Sequence, residues 1–207
     1  MYICGRMIVR IYDKQPAERD LQRVADLLEH DGVVACPTGG VYALCCSLRQ
    51  PRAVARLQAL SGKSADDMAV IFADLASAAD YCRIDNAAFR VLKRNLPGMF
   101  TFILPASSRM PDRVLAKRRT VGLRIPDNAV VRAIAATLGA PLLSVSVRCA
   151  EGDDEEYATD PSLIDERYGR EIDAVVDGGV GLNIHTTVVD LSGDEPEIVR
   201  DGGGELQ

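Results

Sequence analysis

Met7-Ile-Val-Arg-Ile-Tyr12 is rich in β-branched and aromatic residues and predicts a strand. Over residues 17–29 the apolar positions move to Leu21, Val24, Ala25 and Leu28, the three-and-four spacing of a helix face, which Gly32 ends. Val33–Cys36 is a short apolar run stopped by Pro37, as in a buried strand. Helical spacing returns over about 51–60 (Val54, Leu57, Leu60), followed by a strand at Ala69–Phe72 and a short helix around 74–82. Asp85 is placed to cap a helix that buries Ala88, Phe89 and Leu92 and stops at Pro97-Gly98. Phe100–Leu104 and Val121–Ile125 read as strands, and Asn128–Leu138 as a helix closed by Gly139. Leu142–Val147 is a further strand. Asp160-Pro161 is an N-cap with proline at the first helical position. Ile172–Val176 and Thr187–Leu191 are strands, and Ser192-Gly-Asp194 turns the chain into Glu197–Arg200.

Strands and helices alternate, yet several strands are joined by connections too short for a crossover helix. The prediction is one α/β domain over residues 8–204, a twisted mixed parallel and antiparallel sheet with packed helices, with 1–7 and 205–207 as short extensions. At 207 residues with 47% hydrophobic positions, the chain can bury a core. Its longest apolar runs are far too short for a bilayer, and its start lacks a basic region followed by an apolar stretch. The expectation is a cytoplasmic protein with no membrane partner.

Charge changes the picture. The total is −6, but residues 83–132 hold eleven Lys and Arg against three acids, whereas 151–207 hold seventeen acids and three arginines. A basic centre beside an acidic tail fits a surface facing an anion. Cys4, Cys36, Cys45, Cys46, Cys82 and Cys149 form no Cys-x-x-Cys, and segments such as Leu44-Cys-Cys46 are strand-like, which suggests buried thiols. His30 and His185 have no Cys, His or carboxylate at ligand spacing, so no metal site or His-centred triad is expected.

Candidate chemistry lies at strand ends, where open α/β sheets bind ligands. Pro37-Thr-Gly-Gly-Val-Tyr42 offers the hydroxyls of Thr38 and Tyr42 beside two glycines. In Thr120-Val-Gly-Leu-Arg124-Ile-Pro126, an arginine within a strand suits a bidentate anion clamp, or else an ordinary salt bridge. Alternation in Leu142–Arg148 puts Ser144, Ser146 and Arg148 on one face. Thr186–Leu191 and Glu197–Gly202 read as a hairpin, and Gly202–Gly204 as a turn or tail. No P-loop and no Gly-x-Gly-x-x-Gly after a strand is present.

In order and spacing, Pro37-Thr38…Tyr42-Ala-Leu44, Asp85–Arg90, Pro97–Leu104, Val121–Pro126, Pro141–Ser146, Gly178-Gly179 and Thr186–Asp190 resemble the YrdC/YciO family, the YciO branch most. The resemblance implies a sheet with a concave basic cleft and L-threonylcarbamoyladenylate synthesis, a nucleotidyltransferase reaction. L-threonine and bicarbonate form a carbamate that attacks the α-phosphate of ATP and expels pyrophosphate, for the tRNA modification threonylcarbamoyladenosine. Mg²⁺ is implied as the companion of ATP. Thr38, Arg124 and Thr186 match positions that hold threonine, with Arg124 on its carboxylate, and Ser144, Ser146 and Arg200 match the nucleotide site. Two departures stand out. The synthases' Lys-x-Arg-Pro is here Ser61-Gly-Lys63-Ser64, with Lys63 left as a catalytic cation, and their Ser-x-Asn is Ser146-x-Arg148, which puts Arg148 in the nucleotide site. These departures raise an alternative: a non-catalytic protein that binds double-stranded RNA or tRNA in the same cleft, through Lys117, Arg118 and Arg119.

Overall fold

The computed structural model describes residues 7–11, 16–115, 119–148 and 154–207. Lys117 and Arg118, proposed from the sequence as RNA contacts, lie outside the described residues, as do Cys4 and Cys149. The described strands are β1 (Ile8–Arg10), β2 (Val33–Cys36), β3 (Ala43–Ser47), β4 (Ala69–Ile71), β5 (Phe100–Pro105), β6 (Thr120–Arg124), β7 (Leu142–Ser146), β8 (Ala174–Asp177), β9 (Thr187–Asp190) and β10 (Glu197–Arg200). They form one sheet in the order β1-β8-β2-β3-β7-β4-β6-β5-β9-β10. The pairs β1/β8, β2/β8, β4/β6 and β5/β9 run parallel and the remainder antiparallel, so the sheet is mixed, as expected.

The helices divide between the two faces according to their apolar stripes. On one face lie α2 (Pro51–Ser61), α3 (Leu75–Ala79), α4 (Asn86–Asn95) and α6 (Pro161–Tyr168), burying residues such as Leu57, Ala78, Leu92 and Ile164 against Phe102, Leu123, Val145 and Val175. On the other face, among the described residues, only α1 (Glu18–Glu29) and α5 (Ala129–Leu138) are present, packed on each other and on Val34, Cys45, Ile71 and Leu142. They cover the β1–β8–β2–β3 half and the near ends of β7 and β4. Among the described residues no helix covers the rest of that face.

Local chemistry places the helix ends. Asp85 accepts from the Ala88 amide at 2.8 Å, Asn128 from Val131 at 3.2 Å and Asp160 from Ser162 at 2.7 Å, each satisfying a first-turn donor. Gly62 and Gly139 end α2 and α5 at φ near +63°, where a Cβ would be strained.

Two expectations need correction. Phe89, assigned to the buried side of α4, is 46% exposed, because the helix seats Ala88 and Leu92 and turns Phe89 outward. The hydroxyl of Tyr42 does not face a ligand: it donates to Gly179 O at 2.7 Å and accepts from Gly178 N at 3.2 Å, and burial and neighbouring acidic groups push its pKa upward. In the short extension 205–207, Leu206 packs on the core and Gln207 exchanges hydrogen bonds with Asn95 at 2.9 and 3.2 Å. Cys36, Cys45, Cys46 and Cys82 are buried free thiols, with Cys82 raised to about 12 by burial.

Candidate functional site

The open part of the second face is a cleft of about 620 Å³, within the range of small-molecule sites. Its floor follows from strand alternation. Thr101 and Ile103 of β5, Thr120, Gly122 and Arg124 of β6, Ser144 and Ser146 of β7, and Val188 and Asp190 of β9 all point into it, while their in-between neighbours fill the core beneath. Lys63, Asp67, Arg119, Thr186, Ser192 and Arg200 supply the walls. A second lobe of about 360 Å³ shares Lys63, Ser146 and Arg200 with the first and adds Arg148, Glu155, Asn183 and His185.

Arg124 ends β6, in register with Ile71, and is only 6% exposed. Its Nη2 donates to Thr38 Oγ1 at 3.3 Å, and that hydroxyl donates onward to Val41 O at 2.8 Å. Its Nε has no acceptor, and among the described residues no carboxylate lies within salt-bridge distance of it. Burial, with a further push from Arg200, pulls its pKa down to about 10, so it remains charged at neutral pH. A buried cation without a carboxylate is costly unless an anion arrives. The clamp reading of Arg124 is therefore favoured over the salt bridge.

Gly40 sets the approach of Thr38 to this cation. A Cβ there would lie 2.2 Å from Ile184 O, so a larger residue would force apart the 37–41 turn and the loop before β9. Thr186, at the end of that loop, shares a 2.9 Å hydroxyl contact with Thr101 and accepts from Arg200 Nη2 through its carbonyl at 2.9 Å and its hydroxyl at 3.3 Å. The turn after β2, the end of β6, the loop before β9 and the end of β10 thus meet at one end of the cleft.

The structure brings Thr38, Arg124, Thr186, Ser144, Ser146, Lys63 and Arg200 around this cleft, with Thr38 acting from behind Arg124. Ser144 is already committed, donating to Ala69 O at 2.9 Å, which leaves its lone pairs for a ligand donor. Arg148 lines the second lobe together with Ser146. It lies beyond the end of β7, exposed, in the second lobe. Arg119 lines the first lobe, so the RNA contact expected there is a cleft residue. The basic run 83–132 does not build the cleft as a block. Arg109 pairs with Asp80 at 2.7 Å and Arg113 donates to Leu48 O at 2.9 Å, so among its described cations only Arg119 and Arg124 line it.

Thr101, Asp67, Asn183 and His185 were missed by sequence reasoning. His185 was set aside for want of a neighbour at ligand spacing, whereas its partners are cations from three separate elements. Burial and then Arg200, Arg124 and Lys63 lower its pKa, which holds it neutral at pH 7. Lys63 is lowered by burial and then by Arg148 and Arg200, with Asp67 opposing.

Fold and site together define an α/β protein with a cation-lined cleft on one face of its sheet. A family model described as "Telomere recombination", covering Sua5, YciO and YrdC, matches residues 26–202, and the chain belongs to that family. YciO of Escherichia coli K12, an uncharacterized protein, is 33% identical over 199 residues, 95% of this chain and 96% of its own. Its crystal structure superposes with a TM-score of 0.89 at 32% identity, covering 97% and 98% of the two chains. A threonylcarbamoyl-AMP synthase of Xanthomonas euvesicatoria is 34% identical over 177 residues, 82% of this chain and 91% of its own. P. abyssi Sua5 complexed with L-threonine shares the fold at a TM-score of 0.85 and 24% identity, over 95% of this chain and 58% of that one.

Proposed function

We propose that this chain catalyses adenylate transfer of the threonylcarbamoyl-AMP synthase type, serving tRNA threonylcarbamoyladenosine modification. The observation that carries the reading is Arg124: a buried guanidinium aimed into the cleft with its Nε unpaired and no carboxylate of its own. An amino-acid carboxylate completes it. The synthase relative and the threonine-bound Sua5 support L-threonine as that amino acid.

In this reading Arg124 anchors the carboxylate, and Thr186 and Thr101 offer hydroxyls to the side chain. The amine, turned toward the middle of the cleft, condenses with bicarbonate to a carbamate with loss of water. A carbamate oxygen then bonds to the α-phosphorus of ATP, the bond from that phosphorus to the bridging oxygen breaks, and pyrophosphate leaves. Lys63 and Arg200 neutralise charge as it moves onto the leaving group. Positioning and electrostatics suffice, and no protein nucleophile is required. Among the described residues no three His, Cys, Asp or Glu side chains are grouped to hold a metal. Mg²⁺ enters this proposal only as the counter-ion of ATP.

The test is pyrophosphate release from ATP and Mg²⁺ by the purified protein, with L-threonine and bicarbonate omitted in turn. Release that needs both supports the reading, and absence of release from a folded sample overturns it. A second reading, a non-catalytic RNA-binding protein, is favoured by Arg119, which lines the cleft and follows Lys117 and Arg118 in the chain.

A further inference from the structure

The run Gly202–Gly204, which the sequence offers only as a turn or tail, lies against the amino-acid end of the cleft. A Cβ at Gly202 would stand 2.5 Å from His185 O and from the Thr186 carbonyl carbon, and one at Gly203 would stand 2.5 Å from Ile184 Cγ2. A Cβ at Gly204 would stand 2.5 Å from the ring of Phe100, the chain neighbour of Thr101. Glycine lets this backbone lie directly on the loop before β9 and on the start of β5. The Gly203 amide donates to His185 O at 2.8 Å.

Two side chains outside the cleft fasten this strap, each by a reciprocal pair of bonds to its backbone. Thr187 Oγ1 donates to Gly204 O at 2.7 Å and accepts from Gly204 N at 3.0 Å. Asn95, on α4, accepts from Gln207 N at 2.9 Å and donates to Gln207 O at 3.2 Å. Both side chains are buried. Strand alternation turns Val188 and Asp190 into the cleft and Thr187 away from it.

The loop under the strap reaches the clamp from two sides. Ile184 O accepts from Val41 N at 3.3 Å, Val41 O accepts from Thr38 Oγ1 at 2.8 Å, and that hydroxyl accepts from Arg124 Nη2 at 3.3 Å. On the other side Arg200, at the root of the strap, holds the carbonyl and hydroxyl of Thr186. We infer that Thr187, with Asn95, is a positioning residue for the amino-acid end of the cleft. By holding Gly202–Gln207 down, the pair sets Thr186 and the 38–41 turn against Arg124 without touching the ligand. This rests on the adenylate-transfer reading and gives a role to residues that the reading leaves idle. Order in the strap and binding in the cleft are then coupled, and linkage makes the effect mutual: a ligand on Arg124 and Thr186 tightens the strap.

The experiment compares the full chain with Thr187→Val, which keeps the shape and removes the hydroxyl, with Thr187→Ser, which keeps the hydroxyl, and with Asn95→Ala. Amide hydrogen exchange is followed with and without L-threonine, alongside pyrophosphate release. In the unsubstituted protein, L-threonine should slow exchange at Gly203 and Val41. Thr187→Val and Asn95→Ala should speed exchange at both amides in the free protein. They should also raise the KM for L-threonine about tenfold and leave kcat and the KM for ATP within about twofold. Thr187→Ser should behave as the unsubstituted chain. A purely structural role would instead lower the Tm and kcat with the threonine KM unchanged, and that result overturns the inference. Should Thr187→Val fail to fold, Gly203 exchange indifferent to L-threonine in the unsubstituted protein overturns it as well. A protein that neither binds L-threonine nor releases pyrophosphate refutes the synthase reading, whereas an active synthase whose Val41 exchange ignores Thr187→Val refutes the strap alone.

Discussion

Among the described residues, Arg124 carries its charge into the sheet with one side-chain hydrogen bond, to Thr38, and no carboxylate partner. That arrangement sacrifices stability for readiness to bind. Arg124→Met should therefore raise the urea midpoint, by a gain of about 1–2 kcal/mol in unfolding free energy, while eliminating threonine binding by calorimetry. A destabilised variant that still binds threonine would show that the guanidinium is structural. The residue type and its place within a strand were visible in the sequence. The absence of an ion partner was not, because any acid in the chain could have folded against it.

At the scale of the element, α4 shows where periodicity misleads. Ala88, Phe89 and Leu92 are all apolar and within one turn, but a helix resting on a sheet buries only the stripe that meets it. Ala88 and Leu92 define that stripe, and Phe89 stands a further 100° round the helix, on the solvent side. Phe89→Ser should change unfolding free energy by less than about 0.5 kcal/mol, whereas Leu92→Ala should cost about 2–5 kcal/mol. Equal losses in chemical denaturation would return Phe89 to the core. β3 illustrates the opposite case. Ala43–Ser47 is buried on both faces and has no alternation, so its sequence looks merely apolar until β2 and β7 pair with it.

For the whole molecule, net charge and local field have opposite signs. The protein totals −6, yet Lys63, Arg119, Arg124, Arg148 and Arg200 surround one cleft. If the cleft accepts RNA, its affinity should fall steeply between low and high salt, as phosphate contacts release counter-ions. Arg119→Glu should weaken that binding at every salt concentration and flatten the slope by about one contact. RNA affinity that stays flat with salt, measured by filter binding or anisotropy, would rule that surface out. The three carboxy-terminal residues belong to this whole-molecule scale too, since the Asn95–Gln207 bonds close the chain end onto α4.

The sequence by itself determined the elements, their caps, the mixed α/β character and the identities of several residues lining the main cleft, Thr38's partner Arg124, Ser144, Ser146 and Arg200 among them, but not Thr101 or Asp67. Each of these rests on local rules: helix and strand periods, capping side chains, glycine at positive φ, and polar residues at strand ends. Tertiary structure alone decided which polar groups were free to act. It spent the Tyr42 hydroxyl on Gly178 and Gly179, set Arg148 in a second lobe beside Ser146, and brought His185 among cations from separate elements. Those outcomes depend on which strands become neighbours and on how far two helices extend across a ten-stranded sheet. Both are set by long-range packing, which spacing along the chain does not encode.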